Sequence, residues 1–290
     1  MILVQFLQDN PLAFLTFCTL VGLSVGSFLN VVAFRLPVML DREWKSQCRE
    51  LLELEPSPPR ESYNLAYPPS RCPHCGHNIR AIENIPVVSY LWLRGRCAVC
   101  KDPISPRYPI VEACTGLLSL MVAWHFGVGW ETPAALLLTW ALIALSLIDF
   151  DHQLLPDDIV LPLIWAGLLV SLFDLFSATS AAVIGAVAGY LSLWVVFQLF
   201  RMLTGKEGMG YGDFKLLAVF GAWLGWQSLF QIVLISSLVG AVAGLSMILF
   251  RGRDRTVPIP FGPYLAVAGW ISLMWGETIN RAYLTWSGIG

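Results

Sequence analysis

Two aspartates stand at the edges of long apolar stretches in this 290-residue chain. Asp213 ends the segment Gly208-Met-Gly-Tyr-Gly-Asp213 and precedes an apolar run, and Asp149 closes the run that begins at Ala134. An ionisable group at the edge of hydrocarbon is costly, so such residues are functional candidates by default. The glycines at 208, 210 and 212 allow the backbone before Asp213 to approach another chain, such as a peptide substrate.

A pair of carboxylates of this kind has the chemistry needed to hydrolyse an amide bond. Two carboxylates brought close together cannot both ionise easily, so one holds a proton while the other takes one from water. The ionised member would activate water, and the protonated member would polarise the scissile carbonyl and protonate the leaving amine. Helix dipoles favour Asp213, near a helix N-terminus, as the anion and Asp149, near a C-terminus, as the acid, by about 0.3–1 kcal/mol.

Four cysteines form two close pairs, Cys72-Pro-His-Cys75 and Cys97-Ala-Val-Cys100, with 21 residues between the pairs. Paired C-x-x-C motifs at about this separation are typical of a four-thiolate zinc site. Disulfides are the weaker option in a reducing cytosol. A redox or unpaired role is the alternative, and His74 or His77 could replace a cysteine as ligand.

The composition is that of a membrane protein. Hydrophobic residues make up 56% of the chain and charged residues 13%, against about 45–50% and about 25% in soluble domains. The apolar run from Leu12 to Phe34 exceeds the roughly 7–15-residue core of a signal peptide, so we expect it to remain as a membrane helix. The net charge of −2 gives no reason to expect a nucleic-acid partner.

The apolar runs predict an all-α polytopic membrane protein with about eight transmembrane helices. The run at 216–250 exceeds the roughly 20 residues needed to span, and a turn at Gly225-Trp-Gln-Ser228 would divide it. All Lys and Arg except Arg281 then fall on one face, which the enrichment of basic residues in cytoplasmic loops identifies as the cytoplasmic one. Both termini are then outside, and both aspartates lie at the cytoplasmic boundary. The runs are 12–34, 113–130, 132–148, 159–173, 175–200, 216–250 and 256–276.

The segment 35–109 is charged and Pro-rich, and it predicts a small cytoplasmic domain inserted between the first two membrane helices. We expect a short amphipathic helix over Asp41 to Leu54 and an irregular linker over Glu53 to Arg60. A domain of this size buries little apolar surface and usually needs an additional stabilising element, such as a bound metal ion. The predicted domains are a first transmembrane helix at 1–34, a zinc-binding domain at 35–109 and a transmembrane catalytic domain at 110–290.

Several of these signals also have ordinary structural explanations. Asp213 could cap its helix, Asp157 or Asp158 is expected to cap the helix that follows Asp149, and Glu112 is an acid that the helix dipole favours at an N-terminus. Small-xxx-small spacing predicts close helix packing at the pairs Gly22/Gly26, Gly185/Gly189, Gly221/Gly225 and Gly240/Gly244.

Taken together, the motifs resemble those of the bacterial type IV prepilin peptidases, which belong with the Gly-x-Gly-Asp intramembrane aspartyl proteases. The resemblance implies cleavage of the basic leader of type IV prepilins, or of type II secretion pseudopilins, at the cytoplasmic side of the inner membrane. It also implies methylation of the new N-terminal residue from S-adenosylmethionine. The motifs are Gly26-Ser-Phe-Leu-Asn-Val31 with Arg35-Leu-Pro37, the two cysteine pairs, Arg107-Tyr-Pro109 with Glu112, Asp149 with Leu155-Pro-Asp157, and Gly208–Asp213.

By this resemblance, Asp149 and Asp213 are the catalytic residues, and the zinc ligands are Cys72, Cys75, Cys97 and Cys100. The methyl-donor residues are unknown, and the neighbourhood of Gly95 and Cys97 is where we look for them. The partners would be prepilin substrates and the lipid bilayer, with no prediction of the oligomeric state. The alternative is a proton-coupled transporter that uses the aspartate pair as a relay, although several predicted helices supply few polar residues.

Overall fold

The computed structural model of the protein describes residues 2–55, 62–251 and 260–287, and most of them are helical. Short 3₁₀ turns cover Ala81–Asn84 and Trp226–Ser228, and the β-structure of the described residues is limited to two isolated bridges. The predicted all-α class is therefore confirmed. The helices are α1 (Ile2–Asp9), α2 (Pro11–Leu51), α3 (Val88–Trp92), α4 (Arg107–Phe126), α5 (Glu131–His152), α6 (Asp157–Ser171), α7 (Thr179–Thr204), α8 (Tyr211–Leu224), α9 (Leu229–Arg251) and α10 (Gly262–Ser287).

In the described residues, 5 helices are long and apolar enough to cross a membrane: α2, α4, α5, α7 and the stretch Trp226–Ser246. The protein is thus a multi-pass membrane protein, while the exact number of crossings stays a prediction. The predicted turn is confirmed, because α8 ends at Leu224 and α9 begins at Leu229. Most of the 53–60 linker, and Arg253 and Arg255, which entered the orientation prediction, lie outside the described residues.

Two helices of the second half of the chain are apolar but too short to span a bilayer unaided. Helices α6 and α8 contain 15 and 14 residues. At 1.5 Å per residue they are about 21–23 Å long, compared with roughly 30 Å for the hydrocarbon core of a bilayer.

The first of two compact units, Met1–Val128, is built on the pairing of α2 with α4. A Cβ atom on Gly26 would lie 2.8 Å from Glu112 Cα, so these helices need glycine where they meet. The prediction of a separate helix from Asp41 was wrong, because α2 continues through Pro37 to Leu51. Proline removes one helical hydrogen bond, but Leu36 and Leu40 are buried on either side, and their packing holds the helix together.

The second unit, Gly129–Gly290, is organised around α8. Helices α6, α7 and α10 all pack against it, and five of its large side chains are completely buried. A Cβ atom on Gly189 would lie 2.7 Å from the backbone oxygen of Leu217, which confirms the close packing predicted for the Gly185/Gly189 pair. Helix α10 also packs against α5, and so contacts both helices that carry the candidate aspartates.

Candidate active site and metal centre

Asp149 lies in the last turn of α5, and Asp213 lies in the first turn of α8. Both are buried, with 6% and 8% of their surface exposed. Their carboxylates interact electrostatically, so the fold brings together two acids that are distant in sequence. Asp151, two residues beyond Asp149, is exposed.

Gly262, the first residue of α10, completes this site and was missed by the sequence analysis. Its backbone N–H donates to Asp149 Oδ2 at 3.0 Å. A Cβ atom at this position would lie 2.6 Å from the same oxygen, so the approach of the helix to the carboxylate requires glycine. The only signal in the sequence was a glycine between prolines, Pro260-Phe-Gly-Pro263, at the start of a helix.

Leu155 connects the surroundings of the two aspartates. Its side chain is buried, and a Cβ atom on Gly212 would lie 2.8 Å from Leu155 Cβ. A Cβ atom on Gly262 would lie 3.3 Å from Leu155 Cδ2. One apolar side chain therefore packs against the glycine beside Asp213 and the glycine that holds Asp149.

The connection from α5 to α6 is fixed by an ion pair. Helix α5 ends at His152; the following residue, Gln153, has a left-handed φ of 52°, and α6 begins at Asp157. The prediction that Asp157 or Asp158 caps α6 was wrong, because the N-cap is Pro156 and no side chain caps the helix. Both carboxylate oxygens of Asp157 instead accept from Lys215 Nζ at 2.7 and 2.8 Å, which joins this connection to α8.

The four cysteines of the two C-x-x-C motifs meet in one cluster. Their sulfur atoms all lie within 4.8 Å of one another, and the closest contacts are 3.7 Å for Cys72–Cys100 and 4.0 Å for Cys75–Cys97. Tetrahedral zinc with Zn–S bonds of about 2.3 Å would place the sulfurs about 3.8 Å apart. The cluster therefore has the dimensions of a four-thiolate zinc site.

The two cysteine motifs have the same backbone fold. Cys72 N donates to His77 O at 2.9 Å, and Cys97 N donates to Asp102 O at 2.8 Å. The residue after each second cysteine is left-handed, with φ of 70° at Gly76 and 63° at Lys101. The two halves of the cluster are thus equivalent knuckles, although one uses lysine where the other uses glycine.

Hydrogen bonds favour the thiolate at one position of the cluster. The backbone N–H groups of Cys100 and Val99 lower the pKa of the Cys97 thiol to about 6, and the thiolate is the form that binds metal. Against a backbone hydrogen bond from Asp102, burial and the neighbouring thiols raise the pKa of Cys100 to about 12, so without a cation the cluster does not hold four thiolates.

The imidazole ring of His77 is hydrogen-bonded to a carboxylate, because its Nε2 lies 3.0 Å from Glu83 Oε2. The N–H of Arg80, and then the His77 ring, hold the pKa of Glu83 below its ordinary value.

Two buried charged side chains attach the polar segment to its helices within the first unit. Arg35 donates to the backbone oxygens of Asn64 and Pro68 at 3.0 and 2.7 Å. Glu112 Oε2 accepts the N–H of Val87 at 2.7 Å and is buried. Glu112 lies beyond the first turn of α4, so contact with this loop, and not the helix dipole, accounts for its position.

Comparison with known proteins gives matches along almost the whole chain. Residues 20–126 match the Bacterial Peptidase A24 N-terminal domain, and residues 136–245 match the Type IV leader peptidase family. A protein of Pseudomonas aeruginosa named prepilin leader peptidase/N-methyltransferase is 59% identical over 99% of both chains. Proteins of the same name from Stutzerimonas stutzeri and Aeromonas hydrophila are 58% and 55% identical, over 97% and 98% of both chains.

No solved structure matches the chain. The two family matches and the near-complete coverage of these relatives agree with the resemblance drawn from the motifs. The chain therefore belongs to the type IV leader peptidase family.

Proposed function

We propose that this protein removes the leader peptide from type IV prepilins or type II secretion pseudopilins, and then methylates the new N-terminal residue. The observation that carries the peptidase activity is the pair Asp149 and Asp213, two buried carboxylates from different helices that interact electrostatically. Family membership supports the substrate class, and the relatives' printed name supports both activities.

In the proposed mechanism the two aspartates act on one water and one peptide bond. The ionised carboxylate takes a proton from water, and the resulting hydroxide adds to the scissile carbonyl carbon. The protonated carboxyl gives its proton to the carbonyl oxygen. As the C–N bond breaks, a proton passes to the leaving amine, and that amine is the new N-terminus of the pilin.

The substrate meets the aspartates at the cytoplasmic side of the bacterial inner membrane. This orientation comes from the distribution of Lys and Arg, which places both termini in the periplasm. A prepilin is itself a membrane helix with a basic leader on the cytoplasmic side, so its scissile bond reaches the level of Asp149 and Asp213.

Zinc in the cysteine cluster has a structural role in this proposal. Cys72, Cys75, Cys97 and Cys100 would bind it through four thiolates, which leaves no coordination position for water or substrate. A zinc ion bound in this way joins the two knuckles and takes no part in peptide hydrolysis.

The methyl group would come from S-adenosylmethionine. Gly95, near which the sequence analysis placed the search for its site, uses both backbone groups in hydrogen bonds, to Tyr90 O and from Ile104 N. A Cβ atom there would lie 2.9 Å from the Tyr90 hydroxyl. These contacts give Gly95 a role in the fold of the second knuckle and leave the methyl-donor residues unassigned.

Cleavage of a purified prepilin in detergent tests the peptidase proposal. Asp149→Asn and Asp213→Asn each remove one member of the pair, and we expect each to lower the cleavage rate by at least about 100-fold. Asp174→Asn is the control, because Asp174 is exposed and its left-handed backbone suits asparagine. Cleavage at the parental rate by either active-site variant, with folding intact, would reject the proposal.

The transporter alternative has no support in the comparisons, since both family matches and the relatives' names are those of peptidases. We therefore do not retain it.

A further inference from the structure

We propose that the backbone N–H of Gly262 fixes Asp149 as the ionised member of the aspartate pair, which makes Asp149 the general base and Asp213 the acid. Gly262 is then a positioning residue for catalysis. This inference rests on the proposed function, and it reverses the assignment that the helix dipoles favoured.

Backbone N–H groups favour the ionised form of both carboxylates, from Gly262 for Asp149 and from Gly210 for Asp213. In the described residues only the Gly262 contact is a well-formed hydrogen bond, and this distinguishes the two acids. Asp149 and Asp213 are 6% and 8% exposed, so burial disfavours the charge on both to a similar degree. Each also lies close to a helix N-terminus, α10 for Asp149 and α8 for Asp213. A hydrogen bond from Gly262 N–H to Asp149 Oδ2, at 3.0 Å, stabilises the ionised form of that carboxylate.

The sequence of the α10 N-terminus makes this donor available. The first N–H groups of a helix have no partner within the helix. Pro263 has no N–H, and the amides of Tyr264 and Leu265 donate to Phe261 O. The N–H of Gly262 is therefore directed out of the helix, and Asp149 accepts it.

The other charged groups near Asp149 do not compete with this effect in the described part of the chain. Asp213 repels Asp149 and thereby keeps the pair at one negative charge. Lys215 is engaged by Asp157. Glu131 is half-buried and lies at the opposite end of α5 from Asp149. The remaining charged groups of α5, α6 and α10 are exposed: Asp151, His152, Asp158, Glu277 and Arg281.

The pH dependence of kcat/KM separates the two assignments. The pair titrates as a unit, with a first step that forms the single anion and a second that forms the double anion. If Asp149 carries the single charge, loss of the Gly262 hydrogen bond hinders the first step and moves the acidic limb to higher pH. If Asp149 holds the proton, the same loss hinders the second step and moves the alkaline limb.

Two variants disturb this hydrogen bond in different ways. Gly262→Ala places a Cβ atom 2.6 Å from Asp149 Oδ2 and pushes the carboxylate from the amide. The second variant carries glycolic acid at position 262, incorporated by cell-free translation into nanodiscs. This change replaces the N–H with an ester oxygen and adds no atoms, so it tests the hydrogen bond even if the alanine variant does not fold. Gly276→Ala is the control in the same helix, because the nearest atom to its added Cβ, Ser272 Cβ, lies at an ordinary contact distance of 3.9 Å.

We expect the acidic limb to move up by about one pH unit in the ester protein, and in the same direction in Gly262→Ala. The alkaline limb should stay in place, and Gly276→Ala should keep the parental profile. A shift of the alkaline limb alone, or a lower rate with both limbs unchanged, would overturn the inference. If the parent shows no cleavage that depends on both aspartates, the proposed function itself has failed.

Discussion

Removal of zinc is expected to unfold the cysteine segment while the helices of the second unit stay folded. Residues 62–106 are all described, and within them Cys97 alone is buried. The segment therefore has almost no apolar core to hold it together. The binding free energy of structural zinc in small four-ligand sites is about 10–16 kcal/mol near neutral pH. This is as large as, or larger than, the free energy of unfolding of a whole domain, roughly 5–15 kcal/mol.

Hydrogen exchange with mass spectrometry measures this effect directly. The amides of Cys72, Gly76, Cys97 and Lys101 all donate to backbone oxygens of the knuckles, so each should be protected in the zinc-bound protein. After chelation, with zinc loss verified by elemental analysis, these amides should exchange at rates close to those of an unfolded chain. Amides of α8 serve as the internal reference and should remain protected.

Single substitutions provide a second perturbation of the same site. Cys75→Ser removes one thiolate of the cluster and should give rapid exchange without a chelator, whereas Cys48→Ser changes an exposed cysteine outside the cluster and should have no effect. Unchanged exchange in the segment after complete loss of zinc would refute the reasoning, because some other interaction would then be holding the knuckles together.

Three further predictions concern stability. Lys101→Gly should raise the stability of the second knuckle by up to about 1 kcal/mol, because the left-handed φ of 63° at this position suits glycine. Gly76→Ala should lower the stability of the first knuckle by a similar amount, because Gly76 is also left-handed. Hydrogen-exchange rates at a fixed zinc concentration measure both effects. Glu112→Leu should cost about 1–3 kcal/mol in thermal unfolding, because it leaves a loop N–H without its acceptor. Lys215→Met should cost less than about 1 kcal/mol, and less at high salt, because the Asp157 carboxylate it contacts is half exposed.

The sequence was most informative where a residue type is costly or rare. Two aspartates at the ends of apolar runs, and two C-x-x-C pairs, predicted the groups that the fold brings together. Such groups are recognisable because burial of a charge, or the pairing of thiols, has few explanations other than function or metal binding.

The interactions that the sequence did not reveal depend on distant partners. The acceptor for the Gly262 amide is 113 residues away, and no local pattern connects the two. Asp157 has the residue type of a helix cap, but Lys215 supplies a better partner through the tertiary fold. A separate helix was predicted from Asp41, but buried side chains on either side of Pro37 allow α2 to continue through it.

The length of α6 affects the bilayer that surrounds the protein. Helix α8 is enclosed by other helices, whereas α6 exposes Leu161, Trp165 and Leu169 on its outer surface. A lipid-facing helix that is some 7–8 Å shorter than the bilayer core makes the surrounding acyl chains compress, at a fraction of a kcal/mol per Å. We therefore expect the bilayer to be thinner beside α6, and the proposed hydrolysis to depend on the thickness of the host bilayer.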